Sequence, residues 1–178
     1  MNISIPKLKA ILLYFSNFTE RKFLGKVKLM KLFYFLDFMH VKKYGSPVTY
    51  DNYVNLEHGP IPSSIKNLVD TADDDIDNSI LADTISFEKM DGEGIHRIIP
   101  KRKFTEQDKE YFSTTEFDIL TEVCKKFGDK NTKYIEEASH NESPWKETKF
   151  LGLIPYALAA NDPDCIARKE EIEMIVNL

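Results

Sequence analysis

Apolar residues recur at helical spacing from the first turns of the chain. Leu8, Ile11, Leu12 and Phe15 share one face of Ile5 to Phe18, with Pro6 in the first turn, which predicts an amphipathic first helix. Asn17 to Gly25 is a connection. Lys26 to Tyr44 is the strongest element, closed by Tyr44-Gly45-Ser46-Pro47, where glycine permits a left-handed stop and proline cannot continue the helix. On a helical wheel Val27, Met30, Tyr34, Phe38 and Val41 form one apolar stripe. Leu29, Leu32, Phe33, Leu36 and Met39 form a second on the far side. Lys26, Asp37 and His40 fall in one seam; Lys28, Lys31 and Lys42 fall in the other, beside Phe35. A helix with two apolar faces needs cover on both, so this one is expected at the centre of the fold.

Beyond it the pattern shortens. Val48 to Glu57 is aromatic and β-branched in places and reads as strand or extended chain. His58-Gly59-Pro60-Ile61-Pro62 reads as a sharp turn, and Ser63 and Ser64 permit a helix start for Ile65 to Thr71. Ala72 to Ser79 carries four aspartates and reads as a solvated loop. Leu81, Ile85 and Phe87 alternate, Ile95 to Ile99 gives a second strand, and Met90 to Gly94 supplies hairpin turn chemistry. Thr105 opens a short acidic helical segment. Ser113-Thr114-Thr115-Glu116 has capping-box spacing and opens a helix to Phe127, with Phe117, Leu120, Val123, Cys124 and Phe127 as its apolar face and Gly128 at its end. Thr132 to His140 is a further short helix, and Pro144-Trp145 begins another turn. Asp164 to Val176 reads as a C-terminal helix with Ile166, Ile172, Met174, Ile175 and Val176 apolar. The expected fold is α+β, mainly α: a central buried helix surrounded by helices, with a small antiparallel β-element.

Composition adds bounds. The 178 residues are 42% hydrophobic and 30% charged, ordinary for a folded domain, and the length favours one domain over 1–178. The longest apolar stretches, Leu32 to Leu36 and the interrupted Leu151 to Ala160, fall short of the roughly 20 residues a membrane span needs. No small-residue cleavage site follows Ala10 to Phe15, so no signal peptide is expected. Two cysteines, Cys124 and Cys165, suit reduced thiols in a cytoplasmic protein. The net charge of −5 disfavours duplex DNA; Lys101-Arg102-Lys103 is the one tight basic cluster, and nucleic acid is not an expected partner.

Candidate chemistry is sparse. Ser139-His140 is a nucleophile–base pair by residue type, but adjacency in sequence does not supply triad geometry, and no Gly-x-Ser-x-Gly elbow is present. Both residues read more simply as a helix end before Asn141. His40, His58, His96 and His140 are too dispersed for paired metal ligation. Asp73, Asp75 and Asp77 alternate like the start of a calcium loop, but Asn78 and Thr84 stand where glycine and glutamate are needed. No phosphate-binding glycine loop occurs. The expectation is no catalytic residue, no metal and no cofactor, which leaves a binding protein.

One stretch carries more. Lys28-Leu29-Met30-Lys31-Leu32-Phe33-Tyr34-Phe35-Leu36-Asp37 resembles the K-L-x-K-L-x-Y-x-x-D helix of the Panacea, or SocA-like, antitoxin domain. Tyr44-Gly45-Ser46-Pro47, Tyr53-Val54 and His58-Gly59-Pro60-Ile61-Pro62 follow in the family's order, with Ile61 where valine is usual. Ser139-His140 and Pro144-Trp145 resemble its late Ser-His and Trp positions. The match covers about 26–145, and the flanks 1–25 and 146–178 read as helices completing the fold, with no room for a DNA-binding domain. The resemblance implies an antitoxin of a toxin–antitoxin system, often prophage-encoded in bacteria, that neutralises a cognate protein toxin by direct binding. Some relatives instead act as adaptors that deliver a bound partner to a AAA+ protease. A Ser139/His140 hydrolase is the remote alternative. As partner-binding candidates the motif offers Lys28, Lys31, Tyr34, His58, Ile61, His140 and Trp145, with Gly59, Pro60 and Pro62 as structural residues. Lys28 and Lys31 are expected to solvate their seam in preference to reaching partner carboxylates, and Asp37 to pair with a nearby cation or His40.

Overall fold

The structure, a computed structural model, describes residues 3–89 and 96–176. Helix α1, Ile5–Phe18, is capped by the Ser4 hydroxyl, which accepts from the Lys7 N–H, and buries Leu8, Ile11, Leu12 and Phe15. A 3-10 turn at Arg21–Phe23 leads into α2, Lys26–Tyr44. This helix stops where Gly45 takes φ +79°, the left-handed conformation a glycine accepts without a Cβ clash, and returns its N–H to the Val41 carbonyl.

A hairpin follows. β1, Tyr53–Leu56, pairs antiparallel with β2, Gly59–Pro62, from Tyr53 against Pro62 to Leu56 against Gly59. The turn is therefore at Glu57 and His58, and the segment expected to be a sharp turn through Pro62 is instead strand. Prolines fit there because β2 is the outer strand of its sheet and needs fewer N–H donors. α3, Ser63–Asp74, runs past the expected end at Thr71 because Ala72 is buried and holds the last turn against the core.

β3, Ile85–Lys89, and β4, His96–Pro100, form a separate antiparallel pair; the expected turn at Met90 to Gly94 lies outside the described residues. α4, Glu106–Lys109, and α5, Thr114–Phe127, each open on a capping box, Thr105 with Asp108 and Ser113 with Glu116. α6, Thr132–His140, and α7, Ser143–Lys146, complete the helical shell. β5, Leu153–Ile154, then pairs with β1 opposite β2, giving the order β2-β1-β5. A 3-10 helix at Tyr156–Asn161 precedes α8, Lys169–Val176. The last helix is shorter than expected: Ile166 lies before it and is exposed, as is Met174, and Ile172 supplies its buried anchor.

The prediction for α2 holds in its main point. It packs against α3, α5, α6, β2, β4 and the second 3-10 helix, so both apolar stripes are covered. Val27 lies at the surface and Met39 is half-buried; the other stripe residues are buried. Aromatic contacts lock the layers: Phe33 meets Phe15 of α1 edge-on at 5.4 Å, Phe35 meets Phe127 of α5 at 4.3 Å, and Phe38 meets Tyr156 at 5.1 Å. No helix among the described residues is long and apolar enough to cross a membrane.

Candidate functional site

A helix covered on every side must find protein partners for its polar side chains, because a buried unpaired donor or charge is costly. α2 does so residue by residue. Lys28 Nζ donates to the Gly128 carbonyl at 3.1 Å and to that of Lys130. Lys31 Nζ donates to the Pro60 carbonyl at 2.8 Å. The Tyr34 hydroxyl donates to Glu142 Oε2 at 2.8 Å. Asp37 accepts from the Val48 and Thr49 backbone N–H groups at 2.8 and 2.7 Å, and from the hydroxyls of Thr49, Tyr53 and Tyr156. His40 bonds the Ser46 carbonyl and Thr115. Lys42 forms ion pairs with Glu142 at 2.8 Å, Asp162 at 2.9 Å and Asp164 at 3.1 Å.

These contacts make a polar spine, each member fixing a different segment. They also correct three expectations. Lys28 and Lys31 are fully buried, so neither solvates a seam nor reaches a partner's surface; the wheel gave their angular position but not what covers it. Tyr34 is likewise buried. Asp37 pairs with neither a cation nor His40, since five N–H and O–H donors already surround it.

Burial sets the electrostatics. It pulls the Lys31 amine down to about 7 despite opposing attraction from Glu136, and Lys28 down to about 8 despite Asp129. Burial also raises Asp37, against the hydrogen bonds from Thr49 and Tyr53 that favour its carboxylate. Lys42 moves the other way. Desolvation opposes its charge, but Glu142 and Asp162 outweigh it and the ammonium is held.

The second motif packs on the first at Gly59. Its φ of +91° suits glycine, and a Cβ there would lie 2.8 Å from Ser139 Oγ, 3.0 Å from Lys31 Cε and 3.1 Å from His140 Nε2. The structure thus brings Lys31, Gly59, Ser139 and His140 together, with Pro60 supplying the carbonyl for Lys31 and Pro62 leading into α3. Ser139 Oγ is buried and donates to the Glu136 carbonyl at 2.8 Å; it is not hydrogen-bonded to His140. The His140 ring stacks on Trp145 with centroids 4.1 Å apart. His140 Nε2 and Trp145 Nε1 are buried without a hydrogen-bond partner among the described residues. His58 is exposed at the hairpin tip, 3.4 Å from Glu136, whereas Ile61 is buried. Only His58, and in part His140 and Trp145, are at the surface.

Sequence reading missed the segment that follows. Glu142, held by Tyr34 and Lys42, anchors the α6–α7 junction. Asn55 on β1 then donates from Nδ2 to the Trp145 carbonyl at 3.1 Å and the Thr148 carbonyl at 2.6 Å. Its backbone accepts from Leu151 N–H at 2.8 Å and donates to Gly152 O at 2.9 Å. This rigid loop presents Phe150, Leu151 and Leu153, exposed by 65%, 66% and 66%. Leu151 holds φ +64°, a region that favours glycine. The apolar run beginning at Leu151 invites only a membrane-length test in sequence; the signal it also carries is large apolar residues directly after Lys149.

Other candidates resolve into structure. Asp73 pairs with Lys26 at 2.9 Å and with His96, tying α3 to α2 and β4. Arg102 grips Asp108 through two guanidinium nitrogens. Among the described residues no group of three or more His, Cys, Asp or Glu side chains is placed to hold a metal.

Comparison with protein families matches residues 29–146 to the family described as antitoxin SocA-like, Panacea domain. No curated protein and no solved structure matches the chain. The matched span contains most of the spine, the Gly59 packing and the His140–Trp145 stack, the features that hold this fold together. The chain belongs to the SocA-like antitoxin family defined by the Panacea domain.

Proposed function

We propose that this protein is an antitoxin that neutralises a cognate protein toxin by direct, non-covalent binding. The observation that carries the reading is its membership of the SocA-like family over residues 29–146. The chemistry of the site is in keeping with it. The motif polar groups are spent on internal contacts, and Ser139 Oγ is buried on a backbone carbonyl. The same reading takes residues 1–178 as one domain and places the protein in the cytoplasm.

The test is co-expression with the product of the adjacent gene. That product should arrest growth alone, growth should return with this chain, and the two purified proteins should form a stoichiometric complex on size exclusion. Persistent arrest and separate elution would remove the reading. Toxin abundance during rescue separates two mechanisms. Constant abundance means occlusion, and loss that depends on a AAA+ protease means delivery for degradation.

A further inference from the structure

We propose that Phe150, Leu151 and Leu153, with Lys149 beside them, form the docking surface for a protein partner that offers an apolar recess rimmed by carboxylates. This deepens the binding role proposed above and rests on it.

Three observations meet at this surface. The first is exposure: three large apolar side chains lie within four residues, each about two-thirds open to solvent. Scattered exposed hydrophobics are ordinary, but a contiguous group marks an interaction site. Leu153 extends the group onto the sheet, since its register partner Val54 lies on the same, outward face, opposite the buried pair Tyr53 and Ile154.

The second is preorganisation. Leu151 keeps its left-handed backbone because Asn55 binds the loop at four points, Trp145 O, Thr148 O, Leu151 N and Gly152 O. Strain of this kind persists only where the surroundings over-determine it, and it concentrates at binding sites. A loop already ordered loses little entropy when it docks.

The third is charge. The chain carries −5 overall, yet Lys149 directly precedes the apolar group and forms no ion pair among the described residues, and the exposed charges Lys146, Glu147 and Lys149 sum to one net positive charge, with Glu147 Oε2 accepting from Asn161 Nδ2 at 2.7 Å. Lys146 Nζ donates only to the Asn141 carbonyl. An ammonium group without an ion pair beside an apolar core is complementary to carboxylates at the rim of a partner's recess. A second copy meeting this patch face to face would set lysine against lysine. An anionic membrane would attract two lysines but repel the acidic remainder of the chain.

Two measurements test the proposal. In the first, binding to the product of the adjacent gene is measured by calorimetry for the wild type, for Phe150→Ser with Leu151→Asn, for Lys149→Glu, and for Ile166→Asn as an exposed apolar control elsewhere. Asparagine tolerates the left-handed backbone, so the fold is kept, and unchanged thermal unfolding verifies this. The double variant should lose at least tenfold in affinity. Lys149→Glu should weaken binding and reduce its dependence on salt, and the control should match the wild type. Wild-type affinity in the double variant overturns the proposal while leaving the antitoxin role intact.

The second measurement does not use the toxin. A displayed library of random peptides is selected on the wild-type chain. Sequences pairing aromatic or leucine residues with Asp or Glu should be enriched, and should fail to bind the double variant. Enrichment of basic peptides, or of peptides that bind both forms equally, overturns it. So does sedimentation with anionic phosphatidylserine vesicles, or self-association abolished by the double variant.

Discussion

Gly59 and Gly45 both hold a positive φ, yet they sit in different surroundings, and substitution should separate them. At Gly45 an added Cβ finds ordinary contacts, 3.6 Å from Ile175 and 3.9 Å from Ala167. Gly45→Ala should therefore cost only the backbone penalty, about 1 kcal/mol. At Gly59 the same Cβ meets Ser139 at 2.8 Å and Lys31 at 3.0 Å. Gly59→Ala should cost that penalty plus displacement of two buried side chains, roughly 3 kcal/mol in total. Urea unfolding of both variants measures the difference. Lys31 gives a second residue-scale prediction, with a definite sign. Its amine falls from 10.5 in the unfolded chain to about 7 in the fold. Between those values the unfolded state binds the extra proton, so stability rises as pH increases through that window. Below about 7 both states are protonated and the burial penalty is felt in full. Lys31→Met should flatten the rise between pH 7 and pH 9 in denaturation midpoints, with Lys28 leaving a smaller residual slope. The sequence displays these residues plainly as a motif but misleads about their role. Lysines at helical spacing in a charged seam resemble a solvated surface, and burial depends on β2 and the end of α5 arriving from 29 and 100 positions away in the chain.

Secondary elements were easier to read where their signals are local. α1 and α2 begin and end as their proline, glycine and apolar periodicity predict, and the Ser113–Glu116 capping box starts α5 at the expected position. Ser113→Ala should remove the cap to the Glu116 N–H and cost about 1 kcal/mol, read by thermal unfolding. The misreadings involve tertiary partners. Gly59 to Pro62 looks like a turn from composition and is a strand because β1 supplies its ladder. β5 is two residues long, too short for any period, and exists because Tyr53 and Val54 of β1 pair with it. Asp37 joins elements that no local pattern connects: α2, the chain from Val48 to Tyr53, and the 3-10 helix at Tyr156. Asp37→Ala should leave the Val48 and Thr49 N–H groups buried without an acceptor and cost at least about 3 kcal/mol. Asp37→Asn keeps a carbonyl oxygen for those two amides and turns its NH2 toward hydroxyls that can rotate to accept. It should retain more than half of the lost stability, and equilibrium unfolding of the pair distinguishes the two.

At the scale of the whole molecule the polar groups divide into two populations. Most of those on α2, from Lys28 to Lys42, are enclosed and bind the fold's own segments, whereas Lys149 is exposed next to the apolar residues that follow it. A scaffold built this way can keep its interior fixed while the exposed loop is altered to suit a partner. The double variant at Phe150 and Leu151 should accordingly unfold at the wild-type temperature, whereas Tyr34→Phe, which frees the buried Glu142 carboxylate of one donor, should lower it. The enclosure of Lys28, Lys31 and Lys42 also has a chemical consequence. An amine-directed acylating reagent needs an accessible, uncharged nitrogen. Lys31, its amine pulled down to about 7, is uncharged for about half of the time near neutrality yet lies out of the reagent's reach. Acylation at these three positions, mapped by peptide mass, therefore proceeds only through opening of the central helix, so the native chain carries its own clock for global unfolding.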